Sequence, residues 1–495
     1  MCEHRPGRYV RTIEGSEETT SMDCERAMSS SGGGVMRDPV SRQARKTGTR
    51  ALLFCASFAS AVLFAAPPSA SAQAQEARWW EQIPGFGNPG GYTEGRRSDE
   101  PRNREQAQQA LKDLRQDSTP LRSDAMLAAF DDAIARHQQV VAKGGWGAIP
   151  GPRMIRPGDD DERVPQVRRR LVMSGDLRPS QAYQSYAFDG ELEAAVRRFQ
   201  ERQGLRVSGR VDQPTLQAMN VPAAARLAQL RLNQQRVRDL INQRMEERYI
   251  LVNVAGFQLE AVERHNVEQR HRVIAGKPER QTPTVKATIR ALNFFPYWRV
   301  PDSVANLDLI PRLVKEPEYL AKEQIRVLTG SFNGPEIDSS NIDWRQADAT
   351  RIKFRQDPGP QNALGLVRID MPNEHGVYMH DTPMKKLFEQ RGRAFSAGCV
   401  RVQDVFGLVA WIARDEPNGV DRQRIEDILA AGQAVDIQLT RPLPVYFTYL
   451  TAWVDADGKP EFRPDIYGRD GLKELSSDRE RDPDAPPPPT QALAP

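Results

Sequence analysis

A cysteine and a histidine nineteen positions apart, Cys399 and His380, could do the most demanding chemistry in this chain. They lie in the stretch YMHDTPMKKLFEQRGRAFSAGCVR, from Tyr378 to Arg401, each in a short apolar or small-residue context that reads as a strand end or tight turn. A free thiol has a pKa near ~8.5, so it needs a base to act as a nucleophile at neutral pH. Imidazole is the side chain suited to that task, and Cys with His from different parts of a fold is the expected pair. The small residues Ala397 and Gly398 would leave the thiol uncrowded and exposed, and would let backbone N–H groups point at a developing oxyanion. Thiol, imidazole and backbone donors suffice for such nucleophilic chemistry, so no metal and no organic cofactor is implied. An unpaired cysteine also fits a small buried hydrophobe, and spacing alone does not choose between the two.

Cysteine usage favours the reactive reading. The four cysteines are Cys2, Cys24, Cys55 and Cys399. Arg42, Arg45, Lys46 and Arg50 precede an apolar run from Ala51 to Ala66, followed by Pro67, Pro68 and Ser69-Ala70-Ser71-Ala72. A basic region, an apolar core and a small-residue cleavage site make a secretory signal, with cleavage expected after Ala72 or Ala74. The apolar run falls short of the ~20 residues a membrane span needs, and an uncleaved anchor would be the one membrane attachment. Met36 reads as an alternative start. An exported, processed chain, in the periplasm or cell envelope, keeps only Cys399, which then has no disulfide partner within the chain.

A formal charge of +3 and the lack of a basic-aromatic patch give no support to nucleic-acid binding. With 495 residues, two or three domains are expected. Residues 1–74 form an N-terminal extension and signal, and 75–160 a linker with a short helical segment. From Gln73 to about Thr119 the chain is polar and reads as a flexible spacer. Ser123 to Val141 has helical apolar spacing and stops at Gly144-Gly145; His137 reads as a surface residue of that helix, and Asp159 to Glu162 as a solvated acidic run. A compact helical unit covers 161–222: a first helix with Val167, Leu171 and Leu177, a second opened by Asp189-Gly190, and a third opened by Asp212 and Pro214. Residues 223–247 read as one long connecting helix. From Tyr249 the period changes to that of strands, with a hairpin at Ala255-Gly256 and further strands at Arg272 to Ala275, Val367 to Met371 and Ala434 to Leu439. Val405, Leu408, Val409 and Ile412 give a helix face. The last hairpin spans Val445 to Phe462 with its turn at Asp457-Gly458, and 476–495 is an Asp/Pro-rich tail.

HDTP followed by SAGCVR resembles the active-site signature of the L,D-transpeptidases, the YkuD-type catalytic domain. The resemblance implies that Cys399 is the nucleophile and His380 its base, with Ser396, Gly398 and Arg401 completing the motif and Tyr378 lining the oxyanion and substrate side. It extends over Gly276-Lys277, Thr282-Pro283-Thr284, Tyr297 to Pro301 and Asp357 to Gly365, and resembles the large subtype. Many relatives carry a second histidine where this chain has Ala397, so that position brings no base here. FDGELEAAVRRFQERQGLRVSGRVDQPTLQAM resembles the peptidoglycan-binding domain 1 family, a three-helix module.

The implied architecture is α+β and multidomain: a β-rich catalytic domain at 248–440 with a mobile lid insert at about 301–355, preceded by the helical module and followed by a hairpin extension at 441–475. The implied activity is cross-linking of peptidoglycan stem peptides with loss of D-alanine. Stem peptides and glycan would be the partners, and carbapenem-type compounds possible inhibitors. An L,D-carboxypeptidase and an idle wall-binding protein are the alternatives. His375, five residues before His380, should face away from the site and be dispensable.

Overall fold

The computed structural model describes residues 113–472, apart from 182–183, 244–245 and 418. The stretch read as a secretory signal, Cys2, Cys24, Cys55, most of the stretch read as a spacer and the C-terminal tail lie outside the described residues.

The helical part holds five helices: α1 (Asp124–Ala142), α2 (Val164–Met173), α3 (Gly190–Arg202), α4 (Gln213–Asn220) and α5 (Ala223–Ile241). Ser123, Asp189 and Asp212 cap α1, α3 and α4, each side chain accepting a backbone N–H that the first turn leaves unpaired. Helices α2 to α4 close on their own core, with Val167, Leu171, Leu192, Val196, Phe199 and Met219 fully buried. Leu177 lies past the end of α2 but belongs to the same core.

Fourteen strands follow among the described residues. They are β1 (Arg248–Asn253), β2 (Gln258–Glu263), β3 (Asn266–Gly276), β4 (Val285–Phe294), β5 (Trp298–Arg299), β6 (Ile325–Thr329), β7 (Ile352–Gln356), β8 (Val367–Asp370), β9 (Met379–His380), β10 (Ala394–Ser396), β11 (Val400–Val402), β12 (Val435–Thr448), β13 (Ala452–Val454) and β14 (Pro460–Phe462). Nine of them order as β10-β3-β11-β9-β8-β4-β12-β1-β2, and an additional pairing of β2 with β3 closes the sheet on itself. Two helices, α6 (Val405–Ala413) and α7 (Arg422–Ala431), complete this domain. Helix α6 is apolar on nearly every side, as a helix buried in a core must be, and shares one cluster with Val252, Ile289, Ile369, Met379 and Val400.

Several boundaries differ from the sequence reading. Strand β12 runs through residue 440 and pairs with both β1 and β4, so Val445 to Thr448 belong to the closed sheet and the hairpin is β13–β14 alone. The long helix read at 223–247 is present as α5 but ends at Ile241, and it packs with α1 and the hairpin around Phe130, Leu230, Trp453 and Phe462. His137 is not a surface residue but sits edge-on between Trp146 and Phe462.

The spacer reading fails from residue 113 onward. Asp113 binds Arg272 and Arg393, Ser118 accepts from the Val267 N–H, and the Leu121 N–H donates to Glu260. Polar residues suggested disorder, yet these are spent on buried arginines of the sheet. The helical module is also seated: Arg202 pairs with Asp176 and donates to the Pro460 carbonyl, while Arg463 donates back to the Arg202 carbonyl at 3.1 Å.

The insert is a small subdomain with its own core. Strands β5-β7-β6 form a three-stranded sheet, which the mixed helical reading missed, and short helical turns cover it. Trp298, Leu309, Leu313, Tyr319, Val327 and Phe354 are buried within it.

Candidate active site

Strand pleating decides which side chains meet. Strands β9 and β11 pair in parallel, with Val400 opposite Met379 and Arg401 opposite His380. Met379, Val400 and Val402 point into the main core. Alternation therefore sends Tyr378, His380, Cys399 and Arg401 to the other face, where Tyr378 and Ala397 pack against the core of the insert. The Val400 N–H donates to the Tyr378 carbonyl at 3.0 Å, which fixes the register at the cysteine itself.

The nucleophile loop is braced from below. Ser396 Oγ donates to the Cys399 carbonyl and accepts the Gly398 N–H at 3.2 Å. Ser396 and Gly398 thus hold the turn together, and the Gly398 N–H, expected at an oxyanion, is already spent. Gly398 has φ +128, while a Cβ there would meet only ordinary contacts, so conformation rather than space calls for glycine. Thr282 Oγ1 donates to the Gly398 carbonyl at 2.8 Å and accepts the Gly276 N–H at 2.8 Å. The Tyr467 hydroxyl accepts the Thr282 N–H at 3.2 Å and donates to the Gly276 carbonyl. Thr282 was visible in the sequence only as part of a motif, and Tyr467 gave no signal, since its contact spans 191 residues.

Cys399 is buried, with 9% of its surface exposed, against the expectation of an exposed thiol. Burial pushes its pKa up to about 11, although hydrogen bonds from the Tyr378 main chain and hydroxyl, and the nearby Arg401 and Arg368 charges, act in the opposite direction. His380 is fully buried and its pKa falls to about 3, first through desolvation and then through the Arg401 charge. Its Nδ1 lies against the Asp381 carbonyl, which sets the Nδ1–H tautomer, and its Nε2 is buried without a hydrogen-bond partner. No hydrogen bond joins this Nε2 to the Cys399 thiol on the same face. The resting pair is therefore neutral thiol and neutral imidazole. His375 is exposed in a turn before β9 and takes no part in this cluster.

Arg401 is a buried guanidinium whose Nε has no partner and whose Nη1 reaches only the Met384 sulfur at 3.7 Å. No carboxylate among the described residues pairs with it. Desolvation lowers its pKa to about 10, and the charge nonetheless persists at neutral pH.

Arg393, just before β10, is held by Asp113 and donates to the carbonyls of Phe257 at 2.9 Å and Gln390 at 2.7 Å. Burial alone would raise the pKa of Asp113, but the Arg393 and Arg272 charges outweigh it and hold the carboxyl below its ordinary value. Asp113→Ala would leave two buried guanidiniums uncompensated and should cost roughly 3 kcal/mol of stability, read as a lower denaturant midpoint. An unchanged midpoint would show that this strap contributes nothing.

A closed sheet carrying Cys, His, Tyr and Arg on one face beneath an insert defines a protein built around a buried thiol. In comparisons with family models, residues 247–433 match the L,D-transpeptidase catalytic domain (YkuD), and residues 160–219 match the “Putative peptidoglycan binding domain”. The 160–219 match precedes the 247–433 match along the chain. A curated relative, “Putative L,D-transpeptidase” of Haemophilus influenzae, is 31% identical over 222 residues. The match covers 45% of this chain and 44% of that protein, so the chain spans less than half the length of the relative it matches. Among solved structures, the L,D-transpeptidase from Mycobacterium smegmatis aligns with 41% of this chain and 58% of its own at 11% identity and a TM-score of 0.20. The L,D-transpeptidase from Stackebrandtia nassauensis aligns with 61% and 96% at 12% identity and a TM-score of 0.22. Scores this low add no argument to the family match.

Proposed function

We propose that the protein is an exported peptidoglycan L,D-transpeptidase that works through a Cys399 thioester. The observation that carries this reading is the β9–β11 register, which puts the thiol, the unpartnered Nε2 of His380 and the unpaired Arg401 charge on one face. Cys399 Sγ attacks the carbonyl carbon of the third stem residue while its proton passes to His380 Nε2. Positive charge on Arg401 and the Tyr378 hydroxyl stabilise the negative charge that develops, in a site where burial strengthens both. The C–N bond then breaks, the imidazolium proton goes to the departing D-alanine amine, and a thioester remains. An amine from a second stem attacks the thioester, gives its proton to the imidazole, and the thiolate leaves and is reprotonated. The module at 160–219 would hold the enzyme on the wall.

Purified stem tetrapeptides incubated with the full chain test this. Release of D-alanine with formation of cross-linked dimers is the expected result, together with an acyl-enzyme mass on Cys399. Release of D-alanine without dimers would instead identify an L,D-carboxypeptidase, and no acyl-enzyme at all would leave a wall-binding protein.

A further inference from the structure

Residues 276–282 leave the end of β3 and fold straight back on it. A Cβ at Gly276 would run into the Arg280 carbonyl and crowd the Thr282 nitrogen, so the approach requires glycine. This loop is what holds the nucleophile turn. The Lys277 N–H donates to the Ser396 carbonyl at 2.9 Å, and Thr282 Oγ1 donates to the Gly398 carbonyl at 2.8 Å. With Ser396 Oγ on the Cys399 carbonyl, the carbonyls of Ser396, Gly398 and Cys399 are all anchored, the first two to 276–282. The position of the thiol is therefore only as well defined as the loop beneath it.

Tyr467 ties both ends of that loop with one hydroxyl, which accepts the Thr282 N–H and donates to the Gly276 carbonyl. Burial raises its pKa, so the proton that the second bond needs stays in place. Arg469 adds a further tie, its Nη2 donating to the Thr282 carbonyl at 3.1 Å and to the Gln281 side chain at 2.7 Å. The turn that carries these residues is itself fixed. The Tyr467 N–H donates to the Tyr449 hydroxyl at 2.9 Å, and the two rings stack with centroids 5.4 Å apart. The Tyr449 hydroxyl donates to Asp465, which is 1% exposed and also accepts the N–H groups of Arg469 and Asp470. A side chain locked by stacking and by its own backbone can hold another element in place. All of this lies past residue 433, where the match to the catalytic-domain family ends.

We propose that Tyr467 is a positioning residue for the nucleophile: it clamps the 276–282 loop and, through Thr282 and the Gly398 carbonyl, sets where Cys399 Sγ stands. The inference rests on the acyl transfer proposed above as the reaction that this positioning serves. Misplacing a reacting group by about 1 Å can cost ~100-fold in rate. Loosening the clamp should therefore appear in the rate of attack and not in the binding of the acyl donor. Tyr467→Phe is the sparing test, because it keeps the ring stack and removes only the hydroxyl.

Acylation of the full chain by a carbapenem, followed by mass over a range of drug concentrations, reads the clamp. Tyr467→Phe should lower the limiting rate about tenfold or more and leave the half-saturating concentration nearly unchanged. Thr282→Val should lose at least as much, and Thr282→Ser, which keeps the hydroxyl, should retain most of the rate. Because both residues act along one path, adding Tyr467→Phe to Thr282→Val should slow the enzyme by no more than about twofold further. Tyr446→Phe removes another buried hydroxyl of β12, bonded to Glu246 at 2.6 Å, and should acylate at the unmodified rate. An unchanged limiting rate in Tyr467→Phe, losses that multiply in the double variant, or an equal loss in Tyr446→Phe overturns the proposal. Failure of the transpeptidase reading would show separately, as no carbapenem adduct on the unmodified chain. Alkylation of Cys399 by iodoacetamide, read from the mass of its peptide, then decides on the clamp. Tyr467→Phe should react faster as the loop loosens and Tyr446→Phe should not, and equal rates in the unmodified chain and Tyr467→Phe overturn it.

Discussion

Cys399→Ala should form no acyl-enzyme with a carbapenem or a stem tetrapeptide and should make no cross-linked dimers. No other cysteine lies among the described residues, so no second thiol can replace it there. The same substitution tests the thiol as a packing group. Because the side chain is 9% exposed, truncation removes a buried sulfur and should cost about 1 kcal/mol. In a domain of this size that is a fall in melting temperature of roughly 2–4 °C. Complete loss of acylation with so small a shift separates chemistry from folding. Cys399→Ser keeps the shape, but its hydroxyl ionises far less readily than the thiol, so it too should be nearly inactive. Retained cross-linking in Cys399→Ala would overturn the assignment of the nucleophile.

The local elements of this chain were legible in its sequence because their signals are local. Asp189 and Asp212 cap helices where their spacing said they would, and Ala255-Gly256 turns β1 into β2. The active-site stretch was legible for a related reason: strand alternation around His380 and Cys399 needs only a short register to bring their side chains to one face. What stayed hidden depends on contacts far apart in the chain. Asp113 sits 280 residues from Arg393, and no period in a polar segment distinguishes a strap on buried arginines from a spacer. Strands β5, β6 and β7 were missed because the strands are two to five residues long and their partners are separated by helical turns. The burial of Cys399 was hidden for the same cause. Small neighbours do leave room around the thiol within its own loop, but the insert, more than forty residues upstream, closes over it. That closure reverses the expected electrostatics, since a thiol in contact with water would sit near its ordinary pKa and this one does not.

His380→Ala should change the pH dependence of acylation more than any other property. In the intact site the imidazole pKa is about 3 and the thiol pKa about 11, so both groups are neutral across the whole interval between. The proton must then move to Nε2 as the sulfur attacks, and the rate follows the fraction of enzyme with neutral imidazole and intact thiol. Acylation by a carbapenem should therefore be nearly flat from about pH 4 to pH 10, fall below it as His380 gains its proton, and rise above it as free thiolate appears. Without the imidazole only thiolate can react. With a thiol pKa of about 11, its population at pH 7 is on the order of one in ten thousand. His380→Ala should accordingly be slower by orders of magnitude at pH 7 and gain about tenfold per pH unit towards pH 11. Arg401 enters both values with opposite effect: its charge favours thiolate and disfavours imidazolium, so it lowers the cost of forming the nucleophile while keeping the base free to accept. A wild-type profile that rises through pH 6 to 8 would mean that a thiolate–imidazolium pair exists before substrate binds, and a flat profile in His380→Ala would remove the histidine from the reaction.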